Sequence, residues 1–282
     1  MNKQYRAVAQ FLSAVFLFAA CVSDGEILGE TESAAIPLNG FALNGLIEGR
    51  IAASQIAEMQ IATRAANGQL VASIASENML STESGRVYFS YIASCAMPAG
   101  TSINAVIQGA AYEFPGGLGL APAWEQRALN ISERRWVSAC LLARVNAYGI
   151  SISISLRGNM ELAPTKLERE IYPVVEGAFY GDVLTSDPQN MEMVACRGAG
   201  QAAGEWGGLV NRDCAEPGAD GLTVCGLRYA GDCLDYTPRA PSPRACARSI
   251  DGNYMDCHKA SLTGPWPTPG FREVVTVFVS NE

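Results

Sequence analysis

Six cysteines fall between residues 196 and 257, separated by 17, 10, 7, 12 and 10 residues, in sequence that is rich in turns and poor in apolar runs. Glu216-Pro-Gly, Asp220-Gly and Asp251-Gly are turn signals, and Gly198 to Gly208 holds five glycines. A segment of this composition has little core of its own to bury, so cross-links or a metal must hold it. Structural zinc takes its cysteine and histidine ligands in close pairs, commonly two residues apart, and no such pair occurs here. The spacing therefore predicts structural disulfides among Cys196, Cys214, Cys225, Cys233, Cys246 and Cys257, with no metal and no cofactor. Six cysteines allow fifteen pairings, and spacing does not choose among them.

Disulfides persist in oxidising compartments, and the N-terminus supplies a route to one. Lys3 and Arg6 precede an apolar stretch, Phe11 to Ala20, broken only by Ser13 and ending in the small pair Ala19-Ala20. These are the charged, apolar and small-residue regions of a secretory signal. The apolar part is about ten residues, well short of the roughly twenty that span a bilayer as a helix. Residues 1–20 are accordingly read as a cleaved signal peptide.

Phe18-Ala19-Ala20-Cys21 resembles the lipobox of bacterial lipoproteins, with Phe where lipoboxes prefer Leu. The resemblance implies lipidation of Cys21, and setting that residue aside leaves eight of the nine cysteines, an even number. The alternative is an ordinary signal-peptidase cut that leaves Cys21 as a disulfide partner. Several acyl chains anchor a protein firmly where one holds it marginally. Val22, rather than Asp, follows the cysteine, which by resemblance to bacterial sorting rules implies the outer membrane or cell surface. The expected location is extracytoplasmic, with the membrane as a partner through the lipid.

Without residues 1–20 the chain carries 18 Lys plus Arg against 28 Asp plus Glu, a net charge of about −10. Such a charge repels nucleic acid. With 49% hydrophobic and 17% charged residues the chain has the means to bury a sizeable core. Residues 21–37, carrying Asp24, Glu26, Glu30 and Glu32 among small residues, read as a lipidated acidic tether. Residues 38–190 read as an α+β domain opening on a short repeat of period five, and residues 191–282 as a cysteine-rich disulfide region.

The repeat is Leu38-Asn39-Gly40-Phe41-Ala42 followed by Leu43-Asn44-Gly45-Leu46. A period of five suits a β-solenoid, in which stacked short sides bury a row of residues. The competing expectation for residues 50–66 is an amphipathic helix carrying Ile51, Ile56 and Met59 and ended by Asn67-Gly68; the helix is preferred. Further on, Val87, Tyr91, Ile92 and Cys95 recur at helical spacing, with Pro98 and Gly100 ending the run. Ile103–Val106 and Ala111–Phe114 flank a Gln108-Gly109 turn as a hairpin. Ser132 is placed to cap a helix from Glu133 to about Val145, with Trp136, Cys140 and Ala143 on one face. Ile150 to Leu156 alternates strictly, as a half-buried strand does, and Met191–Cys196 and Glu273–Val279 read as strands too. Cys95 and Cys140 each fall on the inferred buried side of a helix, and we pair them.

The Leu-Asn-Gly repeat, the segment around Cys95-Ala-Met-Pro98, Leu118-Gly-Leu-Ala-Pro-Ala-Trp124 and Trp136-Val-Ser-Ala-Cys-Leu-Leu-Ala-Arg-Val-Asn146 together resemble uncharacterised myxobacterial lipoproteins with pentapeptide-like repeats and a cysteine-rich C-terminal region. The likeness runs from about Leu38 to Val279 and implies no particular activity. The repeat here is shorter than the runs of that family.

Chemistry-bearing residues are few. His258 is the single histidine, beside Cys257, and no Gly-x-Ser-x-Gly turn presents a nucleophile for it to activate. Glu168, Glu170, Glu176 and Asp182 cluster in sequence, and two carboxyls facing each other across a sugar make a glycosidase. Trp124, Trp136, Tyr172, Phe179 and Tyr180 would then supply the sugar platform; otherwise Glu168 and Glu170 are a solvated face and the aromatics core. Asp251-Gly-Asn253-Tyr-Met-Asp256 begins like a calcium loop but lacks its sixth-position Gly and twelfth-position Glu. Gly198-Ala-Gly200-Gln-Ala-Ala-Gly204 misses the dinucleotide spacing by one residue. Asn130-Ile-Ser132 is a glycosylation sequon, without consequence if the host is bacterial. No catalytic residue is expected. The sequence predicts a non-enzymatic envelope or surface lipoprotein with a structural, adhesive or binding role, its partner an envelope polysaccharide or another surface protein. The alternative is an envelope polysaccharide or peptidoglycan hydrolase using paired carboxylates.

Overall fold

Alternation along the last strand sets the plan of the molecule. In Val274–Val279, Val275, Val277 and Val279 enter one hydrophobic cluster while Val274 and Phe278 enter another, and all six residues are buried. A strand buried on both faces needs a layer on each side of its sheet, and the computed structural model supplies both. It describes residues 35–36, 43–158, 162–198, 214–234, 245–258 and 270–280.

In chain order the elements begin with β1 (Ala35–Ile36), α1 (Leu43–Ala57), β2 (Ala62–Arg64), β3 (Leu70–Ala72), α2 (Ile74–Leu80) and α3 (Glu83–Ala96). Then come β4 (Ser102–Ile107), β5 (Ala110–Pro115), α4 (Ile131–Ala143), β6 (Ile154–Arg157), α5 (Lys166–Ile171) and β7 (Val174–Asp182). The chain closes with β8 (Glu192–Arg197), β9 (Arg228–Asp232), β10 (Ala247–Arg248), β11 (Tyr254–Met255) and β12 (Val274–Val279). This is an α+β fold. Among the described residues no helix is long and apolar enough to cross a membrane.

Six strands form one sheet in the order β1-β6-β12-β7-β8-β9, and β2-β3-β4-β5 form a second. Helix α4 lies against β7 and β12, helix α3 lies against α4, and β5 of the second sheet packs on α3. The two helices therefore stand between two sheets, and the Cys95–Cys140 bridge joins them. The opposite face of the six-stranded sheet is covered by the cysteine-rich loops: Tyr180, Val194 and Cys196 of the sheet pack with Cys233, Ala245, Cys246, Tyr254, Cys257 and Phe271. That face thus carries a loop-rich, disulfide-stapled layer, while Cys214, Ala215, Cys225 and Leu227 pack into the core on the helix side. The C-terminal region also lends β8, β9 and β12 to the main sheet, so that sheet runs across residue 190.

Several local expectations hold. Helix α3 carries its buried stripe through Tyr88, Phe89, Ile92 and Cys95, is capped by Thr82, whose hydroxyl accepts from the Gly85 N–H at 3.1 Å, and stops before Pro98. Val87 lies off that stripe and is 47% exposed. The β4–β5 hairpin turns through Gln108 at φ 53° and Gly109 at φ 82°, the two positive values that a twisted two-residue turn demands.

Other expectations are corrected. The second copy of the five-residue repeat, Leu43 to Leu46, opens helix α1 rather than a solenoid coil, while Leu38 to Ala42 lie outside the described residues. That helix ends at Ala57, so exposed Met59 lies beyond it and Asn67-Gly68 turns the β2–β3 hairpin. The cap of α4 is Asn130, not Ser132: the Asn130 side chain accepts from the Glu133 N–H at 2.9 Å and Glu133 accepts in return from the Asn130 N–H at 3.0 Å. A reciprocal capping box satisfies two end donors at once, which a lone Ser132 would not. The helix ends at Ala143 rather than Val145. The alternating run 150–156 contributes only its end to β6, because the Asn146 amide donates to the Ile150 carbonyl and holds that residue in a loop. Within the stretch read as a tether, Ala35 and Ile36 pair antiparallel with Ser155 and Ile154 as the edge strand β1.

Candidate functional site

The structure gives the four sequence-clustered carboxylates four different partners. Glu168, on α5, is buried and accepts a hydrogen bond from the Ser155 hydroxyl at 2.6 Å. Arg157 completes that network, donating Nε to Ser155 Oγ at 2.9 Å and Nη2 to the Tyr172 carbonyl at 2.6 Å, with its guanidinium 3.7 Å above the Phe278 ring. Burial lowers the Arg157 pKa to about 10, and Glu168 opposes that shift. Glu170 is exposed and lies 3.9 Å from Lys166 one helical turn away. Glu176 is buried on β7 and accepts from the Cys214 N–H at 3.0 Å. Asp182, at the end of β7, accepts from Arg134 Nε at 2.9 and 3.0 Å and from Nη2 at 2.8 Å.

Three of these carboxylates are thus internal ties: Glu168 holds α5 to the preceding β6, while Glu176 and Asp182 reach partners 38 and 48 residues away. The aromatics beside them are equally engaged. Trp124, Phe179 and Tyr180 are wholly buried, so none offers a face to a sugar. The Trp124 indole donates to the Met59 carbonyl at 2.9 Å, and the Tyr180 hydroxyl donates to the His258 carbonyl at 2.7 Å. Burial pushes the Tyr180 phenol far above its ordinary range. Trp136 and Tyr172 are partly buried against the two cores.

His258 sits in the disulfide layer, its backbone N–H donating to the Ala245 carbonyl at 2.7 Å. Asp251 and Gly252 form the β10–β11 turn, where Asp251 faces Arg169 at 4.0 Å and Asp256 lies 3.9 Å from Arg272, so the calcium-like stretch presents its acids to cations of this chain. Of the glycine-rich run only Gly198 falls within the described residues. Cys21 and the leader lie outside them.

The cysteines are where the structure brings predicted residues together. Cys95 bonds Cys140, as paired from the two helices, and the C-terminal six form Cys196–Cys233, Cys214–Cys225 and Cys246–Cys257. All eight are buried. Arg144 lies over the first bridge, donating to Ser94 Oγ at 3.2 Å and approaching Cys95 Sγ at 3.5 Å, with burial lowering its pKa to about 10. Two C-terminal bridges touch: Cys196 Sγ and Cys246 Sγ are 3.4 Å apart, and the sulfurs of Cys196, Cys233 and Cys246 all lie within 4.8 Å of one another. Sequence spacing gave no sign of this cluster, because its members come from β8, from the end of β9 and from the residue just before β10. Convergence there follows from sheet order, which short-range motifs do not encode.

No family model matches the chain, and neither a curated protein nor a solved structure matches it.

Proposed function

We propose that the chain is a non-enzymatic lipoprotein of the cell envelope or surface, held by acylated Cys21 and serving a structural, adhesive or binding role. The observation that carries this reading is that each of the eight cysteines after Cys21 has a disulfide partner. A chain stapled four times is at home where thiols oxidise, and it leaves the cysteine next to the leader as the one set aside. The buried ties of Glu168, Glu176 and Asp182 support a scaffold over a hydrolase, since an acid pair must stand open to its substrate. The resemblance to myxobacterial lipoproteins points the same way.

Metabolic labelling with a fatty acid tests the anchor. The full-length protein takes up label and fractionates with membranes, and Cys21→Ala loses both label and membrane association. Unlabelled wild-type protein in the soluble fraction would refute the anchor.

A further inference from the structure

We propose that Cys196, Cys233, Cys246 and Cys257, once their two bridges are reduced, form a four-thiolate site for one soft divalent cation, zinc being the natural occupant. The oxidised protein holds these sulfurs as two disulfides in contact, and the cluster is therefore a two-state element: stapled when oxidised, metal-binding when reduced.

Geometry carries the inference. In a tetrahedral zinc site with Zn–S of about 2.3 Å the sulfurs stand about 3.8 Å apart. Cys196 Sγ and Cys246 Sγ, in different bridges, are already 3.4 Å apart, and Cys233 Sγ is within 4.8 Å of both. The Cys257 sulfur stands outside that group of three, bonded to Cys246, and in the proposed site it supplies the fourth position once freed.

Backbone hydrogen bonds also position these sulfurs. Cys196 is in register with Ala178 of β7. The Cys233 N–H donates to the Arg197 carbonyl at 2.7 Å, and the Cys246 N–H donates to the Cys233 carbonyl at 3.0 Å. Cys257 exchanges hydrogen bonds with Phe271 at 2.9 and 2.6 Å. All four side chains are buried among Val194, Tyr254, Phe271 and Phe278, the closed surrounding that structural zinc sites have. The other two bridges, Cys95–Cys140 and Cys214–Cys225, have no such neighbour among the described groups that bring three or more ligand atoms together.

The chemistry balances with an external dithiol or phosphine as reductant. Each bridge accepts two electrons and two protons to give two thiols, and the four thiols release their protons as the ion binds. Oxidation reverses this: the sulfurs rejoin in pairs, the electrons pass to the oxidant, and the ion is expelled.

The test uses the mature eight-cysteine chain, reduced under anaerobic conditions with a phosphine and titrated with Co²⁺. Thiolate-to-cobalt charge-transfer bands and tetrahedral d–d bands should saturate at one ion per chain and vanish on addition of Zn²⁺. The oxidised chain should bind none. Cys214→Ser/Cys225→Ser should keep the full signal, while Cys196→Ser/Cys246→Ser should weaken binding by more than about 100-fold, beyond what loss of a supporting contact costs. Circular dichroism accompanies each titration. A reduced chain that takes up no ion, or that unfolds and is not restored by the metal, overturns the proposal. So does a signal that survives Cys196→Ser/Cys246→Ser.

Discussion

Removing the Cys95–Cys140 bridge is the sharpest test of what holds the two helices together. The bridge closes a loop with a sequence separation of 45, the longest of the four. In the chain-entropy treatment, cross-linking over that length restricts the unfolded chain by about 4 kcal/mol at 25 °C, against about 2.8 kcal/mol for a separation near 11. The bridges Cys214–Cys225 and Cys246–Cys257 both have that shorter separation. Cys95→Ala/Cys140→Ala also loses two buried sulfurs between α3 and α4, which adds to the loss, while Arg144 still ties α4 to α3 through Ser94 and the Tyr91 carbonyl. We expect equilibrium urea unfolding to show a loss of about 3–5 kcal/mol for this variant and about 2–3 kcal/mol for Cys214→Ala/Cys225→Ala. A loss below about 1 kcal/mol for the first, or a reversed order, would refute the view that the long loop is what the bridge controls.

Asp182→Asn leaves Arg134 facing a neutral amide where it now makes three charge-assisted hydrogen bonds, and should cost about 2–3 kcal/mol in the same assay. Tyr88 is buried and its phenol is pushed far above the ordinary value of 10, so the folded chain keeps a proton that the unfolded chain gives up as pH rises past 10. The stability of Tyr88→Phe relative to wild type should therefore grow above pH 10 by about 1.4 kcal/mol per pH unit, as read from urea midpoints across that range; a difference that stays constant with pH contradicts it. Gln108→Asn puts a residue that tolerates left-handed backbone at φ 53°, and should recover part of the roughly 1–2 kcal/mol that this conformation costs, seen as a raised melting temperature.

What the sequence made legible follows from how far apart the deciding residues are. Helix α3 and the β4–β5 hairpin are set by neighbours: a capping Thr82, a terminating Pro98, a Gln108-Gly109 turn. The Cys95–Cys140 pair could be read because only two cysteines lie in that part of the chain. Strand β7 could not be. It is central to the sheet, yet Glu176, Gly177, Gly181 and Asp182 break its apolar pattern. Glu176 falls at the register shift between β7 and β12, and its carboxylate accepts from the N–H of Cys214, 38 residues on. Gly177 is needed because a Cβ there would lie 2.2 Å from the Cys196 carbonyl. Glu168, Glu176 and Asp182 read as members of a candidate acid cluster because their partners, Ser155, Cys214 and Arg134, lie 13, 38 and 48 residues away. The sulfur cluster is hidden for the same reason. The cap of α4 is a local matter: Asn130-Ile-Ser132 offers two capping residues, and reciprocity with Glu133 chooses Asn130.

The central claim is that the mature chain is acylated at Cys21 and that its other eight cysteines are paired. Intact mass of the membrane-extracted protein, measured unreduced and after thiol alkylation, addresses both parts at once. The account predicts a chain beginning at residue 21, heavier by its acyl groups, that takes up no alkylating agent until reduced and then takes up eight. A precursor that retains residues 1–20 and alkylates freely without reduction would contradict it.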